Sequence, residues 1–246
     1  MTFSILFVLA VCGIAQVLPK QIPSYIQVCK RDQSTIDDCV RHSIEALRPR
    51  LAQGLPELGV PGIDPFYIPE LSATSGESPI RAVGKDVKVT GAGNFTIKGL
   101  SVDLDTFTIK ARVRFPKLHL DGRYKVDTSV LGIPLHGQGN MKTDAVKCDA
   151  ELVIHAQTFE VDGQEYIKFD NMDTNINIKD YRIRLDGLFN GDKVLGDATN
   201  EALNQNRGEF LRAAKPILER TVTRLLLDIA NKVVKDIILD DVLPKP

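Results

Sequence analysis

Two periods organise this chain. Between residues 82 and 188 apolar and polar side chains alternate; between 204 and 239 apolar residues recur every three or four positions. Strict alternation puts successive side chains on opposite faces of a strand, whereas a spacing of three and four lines one side of a helix. The clearest alternation is FTIKARVRF, 107–115, with Phe107, Ile109, Ala111, Val113 and Phe115 on one side and Thr108, Lys110, Arg112 and Arg114 on the other. Leu100, Val102 and Leu104 precede it in the same manner. Val146, Cys148, Ala150, Leu152, Ile154 and Ala156 form a second run, opposed by Lys147, Asp149, Glu151 and His155. Ile176, Ile178, Tyr181, Ile183 and Leu185 form a third, with a slip near Asp180 that reads as a bulge. Asp121-Gly122 and Asp162-Gly163 read as hairpin turns. The pattern predicts an antiparallel sheet with one dry and one wet face.

From Asn204 to Leu239 the spacing predicts one long amphipathic helix. Phe210, Ala214, Ile217, Thr221, Leu225, Ile229, Val233 and Ile237 form the stripe, widened by Leu211, Leu218, Val222 and Leu226. At ~1.5 Å per residue such a helix spans roughly 54 Å. An apolar stripe that long needs an equally long partner, and the alternating middle of the chain is the one available. Strands sandwiched in sequence between a short first helix and this long one make the fold class α+β.

Ser34 or Thr35 is placed to cap the first helix, with Ile36, Val40, Ile44, Leu47 and Leu51 on its apolar face. Pro49 is expected to kink or shorten it. Residues 54–71, GLPELGVPGIDPFYIPEL, carry four prolines and read as an extended connector anchored by apolar side chains. Residues 1–15, MTFSILFVLAVCGIA, have no charged side chain, an apolar run too short for a bilayer, and small residues at Gly13 and Ala15. They read as a secretory signal cleaved before Gln16, leaving a single domain over 16–246. Secretion implies an oxidising compartment, in which Cys29 and Cys39 are near enough in sequence to bridge. Cys12 leaves with the signal, and Cys148, on the apolar side of its run, reads as a buried free thiol.

The 246 residues carry a formal net charge of −1. A near-neutral chain argues against nucleic acid as a partner and against binding of acidic lipid surfaces. No other stretch is apolar enough for stable membrane insertion. Catalytic signatures are missing: no GxSxG, HExxH, P-loop or CxxC occurs. His42, His119, His136 and His155 lie in separate segments, and the carboxylate pairs Asp103/Asp105 and Asp149/Glu151 and the basic row Lys110, Arg112, Arg114 fit a solvated sheet face. No metal or cofactor is predicted. Asn94-Phe95-Thr96 is an N-glycosylation sequon.

Two blocks then stand out together. One is LPELGVPGIDPFYIPEL with the Cys29/Cys39 pair before it; the other is LFNGDKVLGDATNEALNQN, 188–206, running into the long helix with its Lys215-Pro216. Both resemble the takeout and juvenile-hormone-binding protein family of insects, over essentially the whole mature chain. Family members commonly have an aromatic residue where Arg207 stands, and juvenile-hormone-binding members have a second disulfide for which Cys148 has no partner, which favours the takeout branch. The resemblance implies a tubular lipid-binding fold of super-roll type, a long C-terminal helix wrapped by a strongly curved antiparallel sheet. It also implies a secreted, non-catalytic carrier of a terpenoid hormone, fatty acid or similar lipid, with roles in circadian, feeding or chemosensory physiology. On that reading Phe107, Ile109, Val113, Phe115, Leu152, Ile154 and Ile183 line a tunnel, faced by Phe210, Ile217, Val222 and Leu225. Tyr124, Tyr166 and Tyr181 are the candidates for polar ligand contacts. The alternatives are a secreted signalling protein with a solid core and, third, a lipid-ester hydrolase.

Overall fold

The computed structural model describes residues 22–72, 82–130 and 132–246, so the signal read over 1–15 lies outside the described residues. The first helix, α1, is Ile36–Gln53. Its N-cap is Thr35, yet that side chain makes no capping bond; the turn before it is held instead by the Asp32 carboxylate, which accepts from Ser34 N and Oγ. Asp37 in the opening turn accepts from Val102 N at 2.7 Å and so ties α1 to the sheet. Pro49 does not shorten α1, which runs on through it to Gln53.

The connector folds as two short paired strands, β1 (Gly54–Leu55) and β2 (Val60–Pro61), and a third strand, β3 (Phe66–Ser72). β3 opens the main sheet, followed by β4 (Ala82–Thr90), β5 (Thr96–Asp103), β6 (Thr108–Val130), β7 (Ile133–Val161) and β8 (Gln164–Leu185). The sheet is antiparallel in the order β3-β4-β6-β7-β8. β5 pairs with the first half of β6 and β4 with its second half, so one edge of β6 serves two partners. Strands of 22 to 29 residues are several times the usual length. Such strands fit a chain of this size only by coiling, and the sheet curls into a half-barrel.

Two details of the strands differ from the sequence reading. Asp162-Gly163 is the β7–β8 turn, with both residues at positive φ. Asp121-Gly122, by contrast, lies inside β6. Gly122 is there for closeness: a Cβ would sit 3.0 Å from Val87 Cγ2, where β4 bulges between Lys85 and Lys88. Near Asp180 the register does not shift, because Asp180 pairs with Val146 in the same frame as Ile178 with Cys148. Instead the ladders skip the row Pro116, Lys147 and Lys179, with Lys147 at φ 52°. The inward phase changes by one residue there in all three strands, from Phe115 to Leu118, from Cys148 to Ala145 and from Ile178 to Tyr181.

The long helix is also divided. α2 (Lys193–Gln205) is capped by Asp192, whose side chain accepts from Leu195 N. Asn206 leaves the helical path, and α3 runs Arg207–Val234. The predicted helix over 204–239 thus begins in one helix and ends beyond another, and Ile237 and Leu239 are buried in a separate closing segment with the short α4 (Leu239–Val242). Arg207, which stands where family members commonly have an aromatic, opens α3 and pairs with Asp180 of β8 at 3.0 Å.

α2 and α3 meet the sheet along β8, its edge strand. An open strand edge presents unpaired peptide groups, and here helix side chains take them up. Asn200 Oδ1 accepts from Leu185 N and Nδ2 donates to Leu185 O, at 2.8 and 2.9 Å. Asn204 brackets Ile183 the same way, at 2.9 and 2.8 Å, and Asn231 brackets Phe169, at 3.0 and 2.8 Å. Glu219 Oε1 accepts from Ile176 N at 2.8 Å.

The Cys29–Cys39 bridge forms as expected, and closes ten residues of sequence at the α1 end. Chain-entropy reasoning for a loop of that size gives about 3 kcal/mol. A Cys29→Ser, Cys39→Ser double variant is expected to lose that much in denaturant unfolding, with the sheet's circular dichroism unchanged at low denaturant.

Candidate functional site

Packed side chains concentrate at the two ends of the helix–sheet interior. At one end Tyr124, Val126, Leu135, Ala145, Tyr181, Ile183, Leu185, Leu188 and Leu203 form a fully buried cluster, with Phe115, Phe210 and Leu211 against it. At the other, Cys29, Ile36, Leu100 and Val102 form one cluster beside α1, with Ile109 against it. Leu55, Leu58, Val60 and Ile237 form another, with Ile229 and Val233 against it. Arg31 ties this end together: it bonds to Leu243 O, Glu165 and Asp240 at 2.7, 3.1 and 2.6 Å.

The middle is built differently. Register puts Ala111, Leu152 and Thr174 in one row across β6, β7 and β8, and Val113, Ala150 and Ile176 in the next. All six face away from the exposed Lys110, Arg112, Arg114, Glu151 and Asn175, yet each is half-buried and none joins a packed cluster. Ile217, Leu218, Val222, Leu225 and Leu226 at the centre of α3 are half-buried in the same way, and the fully buried residue of that helix is Thr221. At the ends side chains of this size are sealed or pack against a sealed cluster; in the middle they keep accessible apolar surface and join no such cluster.

The predicted lining residues therefore divide. Val113, Leu152, Ile154, Ile217, Val222 and Leu225 lie in the unsealed middle. Ile183 is fully buried in an end cluster, and Phe115 and Phe210 pack on that cluster, so these three close the interior at one end. Ile109 does so beside the disulfide. Phe107 is not on the strand at all: it sits in the turn before β6 with φ 46°, and its carbonyl accepts from Ala156 N at 3.0 Å.

The tyrosines are engaged in the structure. Tyr124 donates its hydroxyl to Asp186 O at 2.9 Å and Tyr181 to Leu203 O at 2.8 Å; burial pushes each phenol up to about 12. Both act as braces of the packed end rather than as free ligand contacts. Tyr166 lies on the β7–β8 hairpin, donates to Gln164 at 3.1 Å and stacks on Phe159. Cys148 is free and buried, and burial raises its thiol to about 11, which leaves it a small apolar residue of the interior.

The polar groups weighed for catalysis have surface partners. His119 meets Asp144, His136 meets Asp127, and Arg114 holds Asp149 below the usual carboxylate range through a 2.6 Å hydrogen bond. Asp103 caps its own turn, accepting from Asp105 N and Thr106 N. Among the described residues no cluster of His, Cys, Asp or Glu is arranged to hold a metal, and no helix is long and apolar enough to cross a membrane. Asn94 is exposed on a short helical turn after Gly91.

Sequence reasoning missed Met172, fully buried in β8, and the three asparagines that bracket the β8 edge. Their signal was present: Asn200 and Asn204 are one helical turn apart, and Asn231 lies one turn beyond Leu227 on α3.

The sequence and the fold resemble those of known proteins. The sequence profile of the family described as haemolymph juvenile hormone binding protein matches residues 6–244. A Schistocerca gregaria protein named "Putative beta-carotene-binding protein" is 24% identical over 208 residues, covering 83% of this chain and 82% of that one. The circadian clock-controlled protein daywake of Drosophila melanogaster is 24% identical over 235 residues, covering 91% and 88%. The crystal structure of Takeout 1 from Epiphyas postvittana superposes with a TM-score of 0.75 at 20% identity, covering 89% of this chain and 99% of that one, and shows the same curled sheet with long C-terminal helices.

Proposed function

The chain belongs to the haemolymph juvenile hormone binding protein family, and on that premise we propose that it is a secreted, non-catalytic carrier of a small hydrophobic molecule. The cargo lies along the interior between α3 and the concave sheet. The observation that carries this reading is the unsealed middle: apolar rows on β6, β7, β8 and α3 that stay half-buried between two packed ends. Each methylene of a guest buried there contributes ~0.8 kcal/mol, so a 15-carbon chain gains around 12 kcal/mol before ordering costs. Specificity then comes mainly from length and girth, because the buried tyrosine hydroxyls are already bonded to backbone carbonyls.

Secretion is part of the proposal. It is supported by the apolar leader over 1–15 and by a disulfide that suits an oxidising compartment. The remaining chain acts as a single carrier domain, glycosylated at the exposed Asn94. A link to circadian, feeding or chemosensory physiology is supported by the clock-controlled relative.

Purified protein is expected to take up a fluorescent fatty acid analogue to a saturating, stoichiometric end point. Saturating lipid is expected to raise the melting temperature, as any guest of the folded state alone must. Absence of uptake together with an unmoved melting temperature would rule the carrier role out.

A further inference from the structure

The contact between α3 and the edge of β8 follows a single i, i+4 row of the helix: Lys215, Glu219, Thr223, Leu227 and Asn231. Lys215 donates to Asn175 at 2.6 Å, Glu219 holds Ile176 N, the Thr223 and Thr174 hydroxyls are bonded at 2.7 Å, and Asn231 brackets Phe169. Leu227 is the one member of that row with no polar group to offer. Opposite it stands Met172, whose N–H is taken up by the neighbouring Asn171 side chain at 2.9 Å and not by the helix. A cleft of about 450 Å³ opens at this place. Its apolar wall is buried Met172 and half-buried Leu227, Thr174 and Thr223 stand at one end, and exposed Arg224 and Asp228 form part of its rim.

We propose that this break is a lateral portal, through which the alkyl chain of an amphiphilic cargo passes between Met172 and Leu227 into the interior, with the Thr174–Thr223 pair as its latch. The chemistry suits such a guest. Two flexible apolar side chains, one an unbranched thioether, part without leaving an unsatisfied polar group behind. A charged rim keeps a polar head in water while the tail goes in. At Glu219 and Asn231, parting helix from strand strips hydrogen bonds from the edge backbone of Ile176 and Phe169. At the proposed portal the bond between helix and strand joins two side chains, the Thr223 and Thr174 hydroxyls, and the Met172 N–H keeps its Asn171 partner when they part. This inference rests on the carrier reading.

The test locks the latch. Thr174→Cys and Thr223→Cys are combined in a Cys148→Ala background, so that no third free thiol competes, and uptake of a fluorescent fatty acid is followed by stopped flow. With the new disulfide closed, uptake is expected to slow by about tenfold or more at an unchanged end point, and reductant is expected to restore the rate. The single Thr223→Cys variant, with and without reductant, controls for loss of the native bridge. Equal rates in the closed and reduced forms would overturn the portal while leaving the carrier standing. A second variant does not depend on forming the bond: Thr223→Val removes the hydroxyl pair at nearly constant volume, and is expected to quicken uptake by about threefold. An unchanged rate in Thr223→Val would likewise overturn the portal. If the unsubstituted protein takes up nothing, the carrier reading itself falls, and the portal with it.

Discussion

Replacing Asn200 with alanine is expected to cost about 3 kcal/mol of folding stability, the largest loss from any single polar side chain on α2 or α3. Asn200 is buried, and its amide satisfies both peptide groups of Leu185, itself buried, while also donating to Gly196 O. Truncation leaves a buried N–H and a buried C=O without partners, at roughly 1–3 kcal/mol each. Asn204 makes the same bracket to Ile183 but is half-buried, so water can replace it and Asn204→Ala is expected to lose only about 1 kcal/mol. Asn200→Asp separates the two halves of the bracket. It keeps an acceptor for Leu185 N but sets a carboxylate against Leu185 O, and is expected to be no better than alanine. Urea unfolding of the three variants measures all of this. Equal, small losses at both positions would mean that the asparagines decorate the edge instead of closing it. Opening the edge also exposes strand to other chains, so Asn200→Ala is expected to self-associate at concentrations where the parent stays monodisperse.

How far the sequence could be read depended on which physical signal each element carries. The alternation of β6, β7 and β8 was plain, because those strands have one wet face and lysine, arginine and aspartate mark it. The phase change at Pro116, Lys147 and Lys179 was visible only as a slip near Asp180, since a single strand cannot show that its neighbours turn at the same row. Asp121-Gly122 has the residues of a hairpin turn, and nothing local separates a glycine needed for positive φ from one needed for close approach to Val87. The break at Asn206 lies in a run, 204–209, that holds no apolar side chain, but Leu203 and Phe210 are seven residues apart, as on one face of a continuous helix; what ends α2 is the Asn206 backbone at φ −95°, ψ 41°. For the site, the apolar stripe was legible and its filling was not. Phe115, Ile183 and Val113 are alike in sequence terms, yet the first two seal an end and the third lies in the open middle. That difference is set by how the ends are closed, by α2 at one and by α1, the disulfide and the C-terminal segment at the other, and these contacts are remote in sequence.

Ala150→Trp separates a hollow middle from a solid one. Ala150 lies between Val113 on β6 and Ile176 on β8, half-buried, facing the interior and outside every packed cluster. If the interior there were filled, an indole would overpack it, and the variant would lose at least 1–3 kcal/mol or fail to fold. If it is a channel for a slim hydrocarbon, the indole occupies space that is otherwise open. Stability is then expected to stay within about 0.5 kcal/mol of the parent, or to rise through the added apolar burial. Binding must suffer, because the ring displaces several methylenes of the guest. Loss of three or four at ~0.8 kcal/mol each is about 3 kcal/mol, or roughly a hundredfold in affinity for a long-chain fatty acid. Chain length sharpens the test. A short guest that fits on one side of position 150 is expected to lose far less than one that must cross it. Glu151→Trp is the matched control, one residue along β7 and on the exposed face, and is expected to leave both stability and affinity near those of the parent. A destabilised Ala150→Trp protein that still bound long chains with parental affinity would mean that the guest lies elsewhere and that the middle of this fold is packed.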